Sequence, residues 1–153
     1  MKVEYSIRTA SPADFKELLN IAAACAEAPR WSGDIWRNVL ASDREVARAV
    51  FVAQADENNV GFIVVSCAAA TIAEIESVAV LPAFRRVGIG RALCLEAMRW
   101  ARGLGAPEIE LEVRASSVGA IALYGVLGFV EQGRRCGYYR EPADDAVLMV
   151  AGL

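Results

Sequence analysis

With 153 residues, a net charge of −3 and 56% hydrophobic side chains, the chain reads as a single domain, residues 1–153, large enough to bury a core. No apolar run approaches the ~18–20 residues that span a bilayer, Met1-Lys2-Val3-Glu4-Tyr5 has no apolar signal-peptide core, and Lys and Arg occur only in short pairs; a cytoplasmic protein without membrane or nucleic-acid partners is expected. Histidine is absent, and Cys25, Cys67, Cys94 and Cys136 lie far apart, which removes His-dependent nucleophiles and zinc spacings, so that no metal is expected and acid–base work falls to carboxylates, tyrosine, cysteine or lysine.

In chain order, Ile7 to Thr9 read as a first strand. Ser11 then caps a helix with Pro12 at its first position and Phe15, Leu18, Leu19 and Ala22 on one face, running to about Ala26. A second helix starts at Ser32 and carries Ile35, Trp36, Val39 and Leu40. Ala49 to Ala55 and Val60 to Cys67 form a hairpin around the polar turn Asp56-Glu57-Asn58-Asn59, and Ile72 to Leu81 extends the sheet up to Pro82. A helix from about Gly90 to Arg102 follows, with Leu93, Ala97 and Ala101 at helical spacing, and stops at Gly103-Leu104-Gly105. Glu108 to Arg114 alternates strictly, a strand with Glu108, Glu110 and Glu112 on one side. Ser116 or Ser117 caps a fourth helix with Ile121, Tyr124 and Leu127 inward, ended by Gly128. Phe129 to Gln132 and Ala146 to Val150 close an α/β arrangement of about seven strands and about four helices.

The stretch Phe84-Arg85-Arg86-Val87-Gly88-Ile89-Gly90-Arg91 joins a strand to a helix. The first N–H groups of a helix have no partner inside it, the dipole there favours negative charge, and glycine lets a ligand approach the backbone, so a pyrophosphate is the expected guest. No Gly-Lys pair exists for a P-loop, and Leu93 replaces the third glycine of a dinucleotide fingerprint. Two readings remain for Arg85-x-x-Gly88-x-Gly90: an ordinary strand-to-helix turn, or the acyl-coenzyme A pyrophosphate loop of the GNAT superfamily of N-acetyltransferases, which it resembles.

Further segments carry the resemblance. Leu111-Glu112-Val113-Arg114-Ala115-Ser116, Ala120-Ile121-Ala122-Leu123-Tyr124, Leu127-Gly128-Phe129, Tyr138-Tyr139, Asp145-Ala146-Val147-Leu148-Met149 and Ala28-Pro29-Arg30-Trp31-Ser32 are similar to the corresponding runs of bacterial ribosomal-protein-alanine N-acetyltransferases, the Rim subgroup of that superfamily. The resemblance implies the GNAT acyl-coenzyme A N-acyltransferase fold with a mixed central sheet, acetyl-coenzyme A as cosubstrate, and a protein N-terminus as acceptor, the N-terminal alanine of a ribosomal protein being the expected one. It implies coenzyme A contacts on Val78, Ala79, Val80, Arg85, Arg86, Val87, Gly88, Ile89, Gly90, Arg91 and Ser117, a general base at Glu112, a general acid at Tyr124, and peptide contacts at Trp31, Ser32, Tyr138 and Tyr139. Two departures stand out. Ser117 takes the place of the subgroup's usual asparagine, and Arg30 is inserted between Pro29 and Trp31.

The chemistry agrees with an N-terminal acceptor, because an α-amine with a pKa near ~8 yields its proton more readily than a lysine near ~10.4. A strand carboxylate takes that proton, an unpaired strand N–H near Val78 to Val80 holds the oxyanion, and a tyrosine hydroxyl protonates the leaving thiolate. By alternation alone, however, Glu112 reads as a solvated residue like Glu108 and Glu110. Glu74 and Glu76 are rival bases, and Tyr124 also reads as a core aromatic. Trp31, Tyr138 and Tyr139 either line a peptide groove or pack at a sheet edge. A GNAT enzyme acting on a small amine or lysine, and a non-catalytic acyl-coenzyme A-binding module, are the alternative functions. Oligomeric state is not readable.

Overall fold

Strands β1 (Ser6–Thr9), β2 (Ala47–Ala55), β3 (Asn58–Cys67), β4 (Ala73–Val80), β5 (Glu108–Arg114), β6 (Val130–Arg140) and β7 (Ala143–Gly152) build one sheet in the order β1-β2-β3-β4-β5-β7-β6. The structure is a computed structural model that describes residues 2–25, 28, 29, 31–41, 46–68 and 70–153. Ala26, the expected end of the first helix, and the inserted Arg30 lie outside the described residues. Every strand pair is antiparallel except β4 with β5. The sheet is therefore mixed, as expected.

Four helices cover the two faces. Helices α1 (Phe15–Ala24) and α2 (Gly33–Leu40) lie on one face, where Leu18, Ile21, Trp36 and Val39 pack on Val50, Val52, Phe62 and Val64. Helix α3 (Ile89–Gly103) covers the other, burying Ile89, Leu93, Cys94, Ala97, Met98 and Ala101 against Ile63, Val65, Ile75 and Ile109. Helix α4 (Val118–Val126) adds Tyr124 to the same cluster. Burying such aliphatic side chains stabilises the layers by about 1.5–3 kcal/mol each before entropy is counted.

Several expectations need correcting. The first helix opens as a 3-10 turn at Pro12–Asp14, and the Asp14 carboxylate accepts from the Ser11 N–H at 2.7 Å. The β2–β3 turn is the two-residue Asp56-Glu57, both at positive φ (48° and 67°), which suits the twist of a hairpin. Asn59 therefore belongs to β3, where it is buried: its amide donates to Asp14 Oδ1 at 2.9 Å and its N–H to Glu17 Oε2 at 3.0 Å. Strand β6 runs to Arg140 rather than Gln132, and β7 begins at Ala143. Register shifts between Glu131 and Gly133 and between Arg135 and Tyr139 break the alternation of this exposed edge strand, so no period of two survives in its sequence. At α4, Ser117 holds the cap position but its hydroxyl makes no cap bond, while the Ser116 hydroxyl donates to Asp144 Oδ2 at 2.6 Å.

Asp14 joins three elements. Arg8 of β1 donates to both of its oxygens (2.8 and 2.9 Å), and Asn59 adds a third side-chain bond. The Arg8 guanidinium, helped by the Ser11 N–H and the Asn59 amide, holds the buried carboxyl well below the usual carboxylate range despite its lost hydration. A depressed folded-state pKa contributes stability above the ordinary value near ~3.9 and loses it as pH falls below that. Asp14→Asn should lower stability at pH 7 by about 1–3 kcal/mol, and the gap from wild type should narrow steadily below about pH 4. Urea denaturation between pH 7 and pH 3 checks this, and a constant gap would contradict it.

Candidate active site

The parallel strands β4 and β5 pair at only two positions, Ala73 with Ile109 and Glu74 with Glu110. From there β4 follows β3 as far as Val80, and β5 follows β7 as far as Arg114. The cause is local. Ile75 pairs with Val65 and Ser77 with Val64, so Glu76 is an extra residue in β4, a bulge that bends the strand away from its neighbour.

The split exposes backbone groups. Leu81 donates its N–H to the Val60 carbonyl at 2.8 Å, and in an antiparallel pair alternate residues direct both N–H and C=O to the same side. Ala79 thus turns its backbone to β3, whereas the amides of Val78 and Val80 face the split. The Val80 carbonyl on that side accepts from Arg85 Nε at 2.9 Å.

Beyond the strand comes the glycine loop. Arg86 (φ +65°) and Gly88 (φ +93°) both take the left-handed region, natural for the glycine and strained for the arginine. The Gly88 carbonyl accepts from the Tyr5 hydroxyl at 3.2 Å and from the Ala92 N–H at 3.0 Å. Among the described residues, the N–H groups of Val87, Gly88, Ile89, Gly90 and Arg91 have no acceptor. They open the 15-residue helix α3, whose dipole adds partial positive charge at that end. Arg86 and Arg91 are exposed beside them.

Acid–base groups flank the split on both faces. Ile109 and Leu111 point into the α3 core, so Glu110 and Glu112 project from the opposite face. Glu112 Oε1 lies 3.4 Å from an Arg135 guanidinium nitrogen. Glu76 is occupied by Arg48, which donates to its two oxygens at 2.7 and 3.1 Å. The Glu74 carboxyl is pushed up, first by lost hydration and then by Glu76, Glu110 and Glu112, with Arg48 opposing. On the α3 side, Tyr124 is 6% exposed, packs its ring on Phe129 at 5.8 Å and shares a cluster with Val80, Leu111 and Cys94. Among the described residues its hydroxyl makes no hydrogen bond. Burial, with smaller contributions from Cys94 and Tyr139, holds this phenol well above its ordinary range, so it stays protonated. Burial likewise pushes the Cys94 thiol up to about 12, leaving no thiolate to act as a nucleophile.

The remaining candidates divide into two groups. Trp31 stacks edge-on against Trp36 at 5.1 Å, and the Ser32 hydroxyl caps α2 by accepting from the Ile35 N–H at 3.3 Å. Tyr138 and Tyr139 pack edge-to-face at 5.1 Å on β6, with the Arg114 guanidinium 4.1 Å over Tyr139. Burial and then Glu112 push the Tyr139 phenol up. Among the described residues no ring contact joins Trp31 to the tyrosine pair. Ser117, at the start of α4, lies three residues beyond the end of β5. Sequence reasoning missed Tyr5 and Arg135: nothing local marks a tyrosine that closes on a loop 83 residues away, and Arg135 stands in the strand whose bulges hide its period.

A split mixed sheet beside a glycine-opened helix start, whose amides have no acceptor among the described residues, defines an acyltransferase of the GNAT type. The sequence profile of the Acetyltransferase (GNAT) family matches residues 15–129, and the chain belongs to that family. It is similar to an N-alpha-acetyltransferase of Sulfurisphaera tokodaii, 36% identical over 122 residues and 72% of each chain. It also matches the Escherichia coli ribosomal protein bS18-alanine N-acetyltransferase at 40% identity over 79 residues, about half of this chain and 53% of that one. Among solved structures, the Escherichia coli ribosomal-protein-S18-alanine N-acetyltransferase aligns with a TM-score of 0.84 at 26% identity, covering 97% of this chain and 94% of that one. Ard1 from Thermoplasma volcanium aligns at 0.87 and 28% identity over 99% of both. Among the described residues no helix is long and apolar enough to cross a membrane.

The chain has four tyrosines. In a spectrophotometric titration Tyr124 and Tyr139 should ionise later than a free phenol near ~10. Tyr124→Phe should remove the latest of these transitions; a full set of four ordinary transitions would contradict the burial argument.

Proposed function

We propose that this protein transfers the acetyl group of acetyl-coenzyme A to the α-amine of a protein N-terminus, with the N-terminal alanine of a ribosomal protein as the specific acceptor. The observation that supports this most is the split between β4 and β5, which has amide donors from Val78 and Val80 on one wall, Glu112 on one face and the unpartnered Tyr124 hydroxyl on the other. The similarity to enzymes named as N-alpha-acetyltransferases and ribosomal-protein-alanine acetyltransferases favours an N-terminal acceptor over a small amine.

The loop amides from Val87 to Arg91, with Arg86 and Arg91, suit the pyrophosphate of acetyl-coenzyme A, which supplies the thioester. Glu112 takes the proton of the incoming α-ammonium, directly or through a water. The neutral nitrogen forms the new N–C bond at the thioester carbonyl, and the oxyanion is held by a strand N–H at Val78 or Val80. As the C–S bond breaks, the nitrogen releases its second proton to solvent, and Tyr124 gives its proton to the departing thiolate and regains one from solvent. Having no competing hydrogen bond to a described residue, the phenol is free to do this, and burial keeps it protonated at working pH. Trp31 and the Tyr138-Tyr139 pair border the peptide's approach, and Ser117 contributes at the coenzyme A side. Glu74 is the second candidate for the base, favoured by its raised carboxyl; Glu76 is disfavoured by its two bonds to Arg48.

Mass spectrometry of an N-terminal alanine peptide, a lysine-containing peptide with a blocked N-terminus and a panel of small amines, each with acetyl-coenzyme A, tests the acceptor. Acetylation confined to the free α-amine is expected; modification of lysine alone would overturn the reading. Glu112→Gln and Tyr124→Phe should each lower kcat about 10²- to 10³-fold while coenzyme A still binds by calorimetry. A larger loss in Glu74→Gln than in Glu112→Gln would transfer the base role to Glu74. Unchanged turnover in all three would overturn the catalytic assignment, and coenzyme A binding by a wild-type protein that acetylates none of these acceptors would leave an acyl-coenzyme A-binding module.

A further inference from the structure

Glu112 is already engaged by a cation of the protein itself. Across the sheet, the row through Glu112 continues to Leu148 on β7 and ends at Gly133 on β6, which projects no side chain. The next row on the same face runs from Arg114 through Ala146 to Arg135. Arg135 lies on the same face and reaches back over β7 into the space beside Gly133, bringing its guanidinium to 3.4 Å from Glu112.

Three arginines of β5 and β6 are held differently. Arg114 donates to the Pro142 and Glu141 carbonyls at 2.8 and 3.2 Å and covers Tyr139. Arg134 is bonded to Glu131 at 2.7 Å. Arg135 has one long contact with Glu112 and rests its guanidinium 5.5 Å over Tyr138, with its side chain 64% exposed. It is the loosest of the three, and an exposed pair of this kind contributes little, which makes it exchangeable. We infer that Arg135 is a placeholder for the substrate: in the resting enzyme its guanidinium stands beside Glu112 where the α-ammonium of the peptide docks, and the arriving N-terminus displaces it along Tyr138.

The inference rests on the reading of Glu112 as the group that receives the amine. Arginine suits the task because its guanidinium does not give up a proton in proteins, so it neutralises the carboxylate without protonating it. The α-ammonium, with a pKa near ~8, does give up its proton once it has taken that place. Tyr138 offers the displaced guanidinium a ring face to remain on. Arg135 is thus a positioning residue that competes with substrate and does not touch the reacting atoms.

Steady-state kinetics with an N-terminal peptide and saturating acetyl-coenzyme A tests this through the split between KM and kcat. Arg135→Gln should lower the peptide KM about two- to fivefold, the range expected when an exposed ion pair no longer competes, with a smaller change in kcat. Arg135→Lys, which keeps the cation, should return KM towards wild type. In the Glu112→Gln background, calorimetric binding of the peptide to the coenzyme A complex should be the same with and without Arg135→Gln. A higher KM in Arg135→Gln would mean that Arg135 holds the peptide, and would overturn the inference while leaving the proposed function standing. An unchanged KM, or the same fall in Arg135→Lys, would also overturn it. No turnover of N-terminal peptides by the wild-type protein would overturn the proposed function, and the inference with it.

Discussion

The parallel contact between β4 and β5 lasts for two residue pairs, and the rest of the site depends on its stopping there. The extra residue Glu76 bends β4 while β7 holds β5 in a straight ladder, so the strands part and each loses the hydrogen bonds the other would have supplied. Such bonds are worth about 0.5–1.5 kcal/mol each net, a modest local cost for an opening in the middle of a seven-stranded sheet. The surrounding packing offsets it: α3 binds both sides of the split through Ile75 and Ile109, and the Arg8–Asp14–Asn59 network fixes the start of α1 to the opposite edge.

An opening through a sheet reaches both of its faces, and the two faces here differ in polarity. Glu74, Glu110 and Glu112 gather on one side, where lost hydration and the neighbouring carboxylates push the Glu74 carboxyl up. The α3 side is apolar, and there a phenol is held in its neutral, proton-bearing form by burial. Alternation along β5 is what separates them, since the residue before Glu112 is the core leucine Leu111. The bulge serves both roles, because Glu76, displaced from the ladder, is bonded to Arg48, and among the described residues Glu74 has no ion pair. In the proposed reaction this polarity gives direction: protons are taken up from the amine on the acidic face and delivered to sulfur on the other.

Much of this was legible in the sequence because it rests on local rules. Gly88 and Gly90 before Leu93 mark the start of a helix, the alternation from Glu108 to Arg114 marks a two-faced strand, and Tyr124 at helical spacing from Ile121 marks an inward residue. What was hidden depends on contacts between distant segments or on irregular backbone. Asn59 looks like a turn residue until Asp14, from the 3-10 turn, and Glu17, from α1, arrive and bury it. Strand β6 looks like a loop because its register shifts destroy the period of two, and with it went the position of Tyr138, Tyr139 and Arg135. The bulge at Glu76 leaves no mark in Ile75-Glu76-Ser77 that distinguishes a carboxylate tied to Arg48 from one available for chemistry.

The central claim is that the acyl donor completes the sheet at the split through the outward-facing amides of β4. Residue-resolved amide hydrogen exchange, with and without acetyl-coenzyme A, tests it most directly. New protection is expected at Val78 and Val80, together with the loop amides from Val87 to Arg91, while Ala79 and Leu81, already bonded to β3, change little. Protection of the loop alone, with Val78 and Val80 exchanging as in the free protein, would contradict it.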